Sequence, residues 1–124
     1  MIFKLKTSKE TMEIFEQINA CIHLQPFALC KLAIALSVRQ SPETLDFSGD
    51  NEGLELNRQT ITGEYDDLFK VLIIQNLNKP LSDEEYFPKY MKAHIDRGAK
   101  ILLSEYKYSN TNFYQHLVEI DKGI

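Results

Sequence analysis

Phe3-Lys4-Leu5-Lys6-Thr7-Ser8-Lys9-Glu10 carries two patterns in succession. Over residues 2–6 the side chains alternate, Phe3 and Leu5 on one side and Lys4 and Lys6 on the other. That is the period-two signature of a strand. Thr7 or Ser8 then offers an N-cap, and Glu10 stands three residues after Thr7, a capping-box spacing. The helix so opened is predicted to run to about Ile22. Ile14, Phe15, Ile18, Cys21 and Ile22 recur at the spacing of one buried helical face.

Working outward, Ile22-His23-Leu24-Gln25-Pro26 interrupts this pattern. Proline cannot sit inside a helix but suits its first turn. A second helix is therefore predicted from Pro26 to about Arg39. Leu29, Leu32, Ala33 and Leu36 form one stripe, and Ile34, Ala35 and Val38 cover much of the rest. A helix apolar nearly all round must be surrounded. In so small a chain a second copy is the simplest surround. Strand, helix, turn, helix is the ribbon-helix-helix order, in which two chains pair their first strands and intertwine their helices. Strands of this type can enter a DNA groove. Phe3 and Leu5 would then face the dimer core, with Lys4 and Lys6 outward.

Beyond residue 40 the reading becomes less regular. Residues 41–53 are loop-like, with Ser41-Pro42 and the run Ser48-Gly49-Asp50-Asn51-Glu52-Gly53. Leu54 to Ile61 reads as extended. Thr62 is placed as an N-cap, with Glu64, Asp66 and Asp67 in a first turn that favours negative charge. Tyr65, Leu68, Phe69, Leu72 and Ile73 are predicted to be the core stripe of that third helix, which Asn78-Lys79-Pro80 ends. Ser82-Asp83-Glu84-Glu85 is a second capping box, followed by a long helix from Pro88 to about Tyr106. Its stripe is Met91, His94, Ile95, Gly98, Ala99, Leu102 and Tyr106. The expectation is a mainly α single domain over residues 1–124. A ribbon-helix-helix-like unit (1–40) is followed by a loop and extended segment (41–62), two further core helices (63–107) and a polar tail (108–124).

Net charge is −4, yet the charge is segregated. Residues 1–40 carry five bases and three acids, residues 41–87 three bases and eleven acids, and residues 88–124 six bases and four acids. Such a distribution permits a basic face on an acidic protein. The longest apolar run, Leu32 to Leu36, is far too short for a bilayer, and Met1 to Lys6 lacks the apolar core of a signal peptide. No membrane association and a cytoplasmic location are expected. Cys21 and Cys30 read as buried, inert thiols; two cysteines without a histidine at ligand spacing make no zinc site.

Lys4, Lys6, Lys9 and Lys31 form the candidate phosphate-contacting set. His94 and Gly98 read as core, the glycine allowing close helix approach. Arg58 is expected to pair with an acid of the 64–67 cluster. Asp46, Asp50, Glu52 and Glu55 lack calcium-hand spacing and read as a solvated acidic face. No phosphate loop, zinc motif or nucleophile elbow is present, and His23, His94 and His116 are scattered. No catalytic residue, metal or cofactor is assigned.

Three segments in order carry a family resemblance: Gln25 to Ser37 (QPFALCKLAIALS), Gly53 to Phe69 (with NRQTITGEYD at 57–66) and Phe87 to Leu102 (with KAHIDRG at 92–98). Together they resemble the DndE family of DNA sulfur modification proteins over roughly residues 3–106. The resemblance implies a small α-rich protein, similar to ribbon-helix-helix folds and tetrameric. Such proteins bind nicked double-stranded DNA without chemistry of their own. Their partners, sulfurtransferase-like and ATPase-like subunits, replace a phosphate oxygen by sulfur. It also implies DNA contact near the turn between the first two helices, here His23, Gln25 and Lys31. This turn lacks the glycine of the family pattern, and lysine stands where arginine is commoner. A non-catalytic DNA-binding accessory subunit is therefore expected. The alternatives are a ribbon-helix-helix transcriptional regulator, or a protein-interaction adaptor without DNA contact.

Overall fold

The structure, a computed structural model, describes residues 3–109. The polar tail from residue 110 onward lies outside the described residues. Strand β1 (Lys4–Lys6) leads into helix α1 (Lys9–Ile22) and, after a sharp turn, α2 (Pro26–Ser37). The predicted order of the first forty residues thus holds, and the fold is mainly α. Strand β2 (Glu55–Asn57), the short helix α3 (Arg58–Ile61), α4 (Asp66–Leu77) and the long α5 (Met91–Ser109) follow.

Two local readings shift by a few residues. Ser8, not Thr7, caps α1, its hydroxyl accepting from the Thr11 amide at 3.1 Å. Thr7 instead pins the distant loop: its Oγ1 accepts from the Leu54 amide at 2.9 Å, and its carbonyl accepts from the Gly53 amide at 2.9 Å. A Cβ at Gly53 would collide with Ser8, so the loop docks where only glycine fits. Thr62 is not a helix cap. Its hydroxyl donates to the Arg58 carbonyl at 3.0 Å and lies 2.7 Å from Asp66. The sequence 54–61 divides into β2 and the α3 turn rather than one extended arm.

The first strand, expected to pair with that of a second chain, has a partner within its own chain. β1 runs antiparallel to β2, with Lys4 opposite Asn57, Leu5 opposite Leu56 and Lys6 opposite Glu55. Leu5 and Leu56 are buried while Lys4 and Lys6 face solvent. Phe3, expected to face a dimer core, is 62% exposed in the single chain.

The core lies between α2 and α5. Gly98 sits against the Ala33 backbone, where a Cβ would collide with the Ala33 carbonyl. Losing the side chain at the crossing lets the two helices touch backbone to backbone, as its small residue predicts. Around it are Leu29, Cys30, Ile34, Ile95, Ala99 and Leu102, all fully buried. Thus α2 obtains most of its cover from α5 of its own chain; Phe27 remains 40% exposed. Arg97 closes this layer from α5. Its guanidinium donates to the Ser37 carbonyl at 2.6 Å and to Thr44 Oγ1 at 2.8 Å, placing a cation at the C-terminal end of α2. Asn76 of α4 donates to the Val38 carbonyl at 2.9 Å, satisfying the same helix end. His94, on the predicted core stripe, is fully buried and shares a 2.8 Å hydrogen bond with Ser37 Oγ.

Arg58 ties the second half together. It donates to both oxygens of Asp66 (3.1 and 2.7 Å) and both of Asp83 (2.9 and 2.7 Å). The rings of Tyr86 and Phe87 lie 5.2 Å from its guanidinium carbon. The expected pairing with the 64–67 acids is present, extended by Asp83. The Ser82–Glu85 capping box forms as read, with both reciprocal bonds at 3.1 Å. Phe87 is extended (φ −130°, ψ 121°), so the helical turn over residues 85–90 breaks before Pro88 and α5 starts at Met91. The α4 stripe is only partly inside: Ile73 is buried, but Tyr65 and Leu68 are 55% and 54% exposed.

Candidate nucleic-acid interface

The alternation of β1 puts Leu5 into the core and therefore Lys4 and Lys6 on the opposite, solvated face. Neither makes an ion pair among the described residues. Beside β1 runs a groove of about 290 Å³ lined by Lys4, Leu5, Lys6, Asn51, Pro88, Lys89 and Lys92. Four lysines thus come together from two segments more than eighty residues apart in the chain. Lys9, at the first turn of α1, lies at the same end of that helix.

Glu55 stands opposite Lys6 across the two strands, while Asp96, Asp50 and Asp46 are engaged elsewhere. Asp96 accepts from the Ser8 amide (3.1 Å) and Thr11 Oγ1 (2.7 Å), and its other oxygen holds Lys92 at 2.7 Å. Asp50 accepts from the amides of Lys9 (2.9 Å) and Glu52 (3.0 Å). These backbone donors hold its carboxyl below the usual carboxylate range. Asp46 is similarly lowered by the Ser48 hydroxyl and amide of its own loop. Asp50 and Asp96 therefore occupy the N-terminal end of α1, and an incoming anion meets lysine side chains rather than helix amides. Lys89 lies 5.1 Å from the ring centroid of Phe47 and 5.6 Å from that of Tyr90.

The other predicted residues lie elsewhere. His23 is the left-handed C-cap of α1 (φ 58°), its amide donating to the Asn19 carbonyl at 2.8 Å. This is the conformation glycine favours, which explains why a glycine is the natural occupant of this turn. Gln25 is the residue before α2, and Lys31 lies on α2 with its Nζ 5.6 Å from the Phe27 ring. The fourteen residues of α1 separate this turn from the β1 lysines by about 20 Å. The six predicted residues therefore form two groups, Lys4, Lys6 and Lys9 at one end of α1 and His23, Gln25 and Lys31 at the other.

Sequence spacing does not single out Lys89 and Lys92. The available signal is the excess of bases in residues 88–124. Cys21, expected to be buried, is exposed at the end of α1; Cys30 is buried, and desolvation raises its thiol to about 12. Among the described residues no cluster of three or more His, Cys, Asp or Glu could hold a metal ion, and no single helix is long and apolar enough to cross a membrane.

The fold is shared with two solved proteins. The crystal structure of DndE from Escherichia coli B7A, involved in DNA phosphorothioation modification, matches at a TM-score of 0.64 and 21% identity, covering 82% of this chain and 97% of that one. A glycine-to-lysine double mutant of a DndE involved in DNA phosphorothioation matches at 0.63 and 19%, covering 84% and 99%. No curated protein matches the chain. The family model described as DNA sulphur modification protein DndE matches residues 4–110, the whole of the architecture from β1 to the end of α5. The chain belongs to the DndE family of DNA sulphur modification proteins.

Proposed function

We propose that this chain is a non-catalytic, DNA-binding accessory subunit of a DNA phosphorothioate modification system. It holds duplex or nicked DNA as a homo-oligomer while partner enzymes carry out the sulfur chemistry. The observation that carries this reading is the lysine-lined groove beside β1, where Lys4, Lys6 and Lys89 have no ion-pair partner among the described residues. Lysines so placed suit phosphate, which supplies sequence-independent affinity. A protein that presents DNA to other enzymes needs that kind of affinity rather than base readout. His23, Gln25 and Lys31 form a second contact surface at the far end of α1. The exposed apolar side chains Tyr65, Leu68 and Val71 on and beside α4 give copies of the chain a surface on which to meet.

Affinity for nicked and intact duplex, measured across a salt series, tests the proposal. If an oligomer neutralises about eight phosphates, log affinity falls against log salt with a slope near −7. The Lys4→Ala/Lys6→Ala/Lys89→Ala variant should flatten that slope by about 0.9 for every phosphate contact it removes. Equal affinity for unrelated duplexes is expected; preference for one operator would instead favour a transcriptional regulator. A slope near zero in the unaltered protein would reject DNA binding and leave the adaptor reading.

A further inference from the structure

Lys89, one of the lysines lining the groove, also touches an aromatic side chain that the fold does not bury. Phe47 is 47% exposed, although its ring packs edge-to-face on Tyr90 with centroids 5.0 Å apart at 71°. Tyr90 itself is only 8% exposed, so Phe47 is the open member of the pair. Lys89 links the two features, since it lines the groove and also lies over the Phe47 ring.

The loop bearing Phe47 is fixed before any ligand arrives. Asp46 closes a turn on the Ser48 amide at 2.8 Å, and Asp50 accepts from the Lys9 and Glu52 amides. The Gly53 amide is bound to the Thr7 carbonyl at 2.9 Å. Phe47 is thus held in place at a cost already met in folding, which is what a preorganised contact requires. A half-exposed phenyl ring beside converging lysines matches the chemistry of an unpaired nucleotide. The ring offers a face to a base, and the lysines offer charge to its phosphates. The groove beside the ring, about 290 Å³ and lined by Lys4, Lys6, Lys89 and Lys92, offers these lysines to a sugar-phosphate strand.

We propose that Phe47 is a stacking platform for an unpaired nucleobase whose sugar-phosphate chain lies along Lys89, Lys4 and Lys6. The inference rests on the DNA-binding reading above and specifies which form of DNA this site takes: a single-stranded end or a frayed nucleotide.

The chain contains no tryptophan, so Phe47→Trp introduces a unique fluorophore at the platform. This variant is titrated with a short single-stranded oligodeoxynucleotide, with an abasic oligomer of the same length and with an intact duplex. Quenching by the base-bearing single strand, and much less by the abasic strand or the duplex, is the expected result. Phe47→Ala should weaken single-strand binding about tenfold with little change for duplex, and Phe47→Tyr should restore it. Circular dichroism and thermal unfolding of each variant report whether it folds. Salt-dependent duplex binding with no quenching of the introduced indole, or with unchanged single-strand affinity in Phe47→Ala, would overturn the platform alone. Failure of the unaltered protein to bind any of the three oligonucleotides would overturn the platform and the DNA-binding reading together.

Discussion

The two ends of α1 are built on opposite principles. At its start, the helix amides are taken up by Ser8, Asp50 and Asp96, and Asp96 in turn holds Lys92. At its finish, a three-residue break opened by left-handed His23 separates α1 from α2, which lie at 112°, and no basic side chain lies in the last turn of α1. The first end is tied to α5 and to the 46–53 loop, and it gathers lysines from both sides. The second is an exposed corner. A basic surface in this fold thus depends on which distant segments a helix end recruits. The residues at the turn alone would give a weaker and more isolated charge.

Acid separates the interior from both ends most strongly. His94 is fully buried, and desolvation lowers its pKa from 6.5 to about 4. The unfolded chain therefore binds a proton that the folded chain refuses between those values. Stability should be fully present above pH 6.5 and fall by up to about 3 kcal/mol as pH drops toward 4. Thermal unfolding across this range measures it. His94→Gln should flatten the acid limb, and an undiminished limb in that variant would move the pH sensitivity to another residue.

Removing the anchor of the first end has the next largest effect. Asp96→Ala strips the carboxylate from the Ser8 amide and Thr11 and leaves Lys92 unpaired, costing about 2 kcal/mol by denaturant unfolding. At the second end the sign reverses. His23→Gly relieves a left-handed histidine and should stabilise by about 0.5–1 kcal/mol, a gain partly offset by unfolded-chain entropy. A loss on that substitution would mean that the histidine side chain makes the corner. Smallest of all, Lys31→Ala should change stability by less than about 0.5 kcal/mol, since its ammonium contacts only a half-exposed ring.

Local rules made much of this legible in the sequence. The β1 alternation, the proline at the start of α2, the Ser82–Glu85 box and the core placement of His94 and Gly98 each follow from spacing within a few residues. What failed depended on distance along the chain. Thr7 and Ser8 both read as caps, Thr7 with Glu10 three residues on, and only the loop near residue 54, which claims the Thr7 hydroxyl, leaves the role to Ser8. The strand of residues 4–6 finds its partner at residues 55–57 of the same chain, where sequence order suggests a second copy. Tyr65 and Leu68 fit a helical stripe, but α4 begins at Asp66 and turns Ile73, rather than those two, into the core. Of the candidate surface, Lys4 and Lys6 are readable from β1. Lys89 and Phe47 are not, because only folding brings residue 89 beside the first strand and residue 47 against residue 89.

The Gly98–Ala33 crossing has a consequence for motion. At that point backbone rests on backbone, and the close-packed side chains Leu29, Cys30, Ile34, Ile95 and Leu102 around it leave α2 and α5 little room to shear or repack. The pair must translate as one rigid girder, and any adjustment on engaging a ligand falls to the peripheral pieces hung from it. Amide exchange should accordingly be slowest along this seam and fastest in the 46–53 loop.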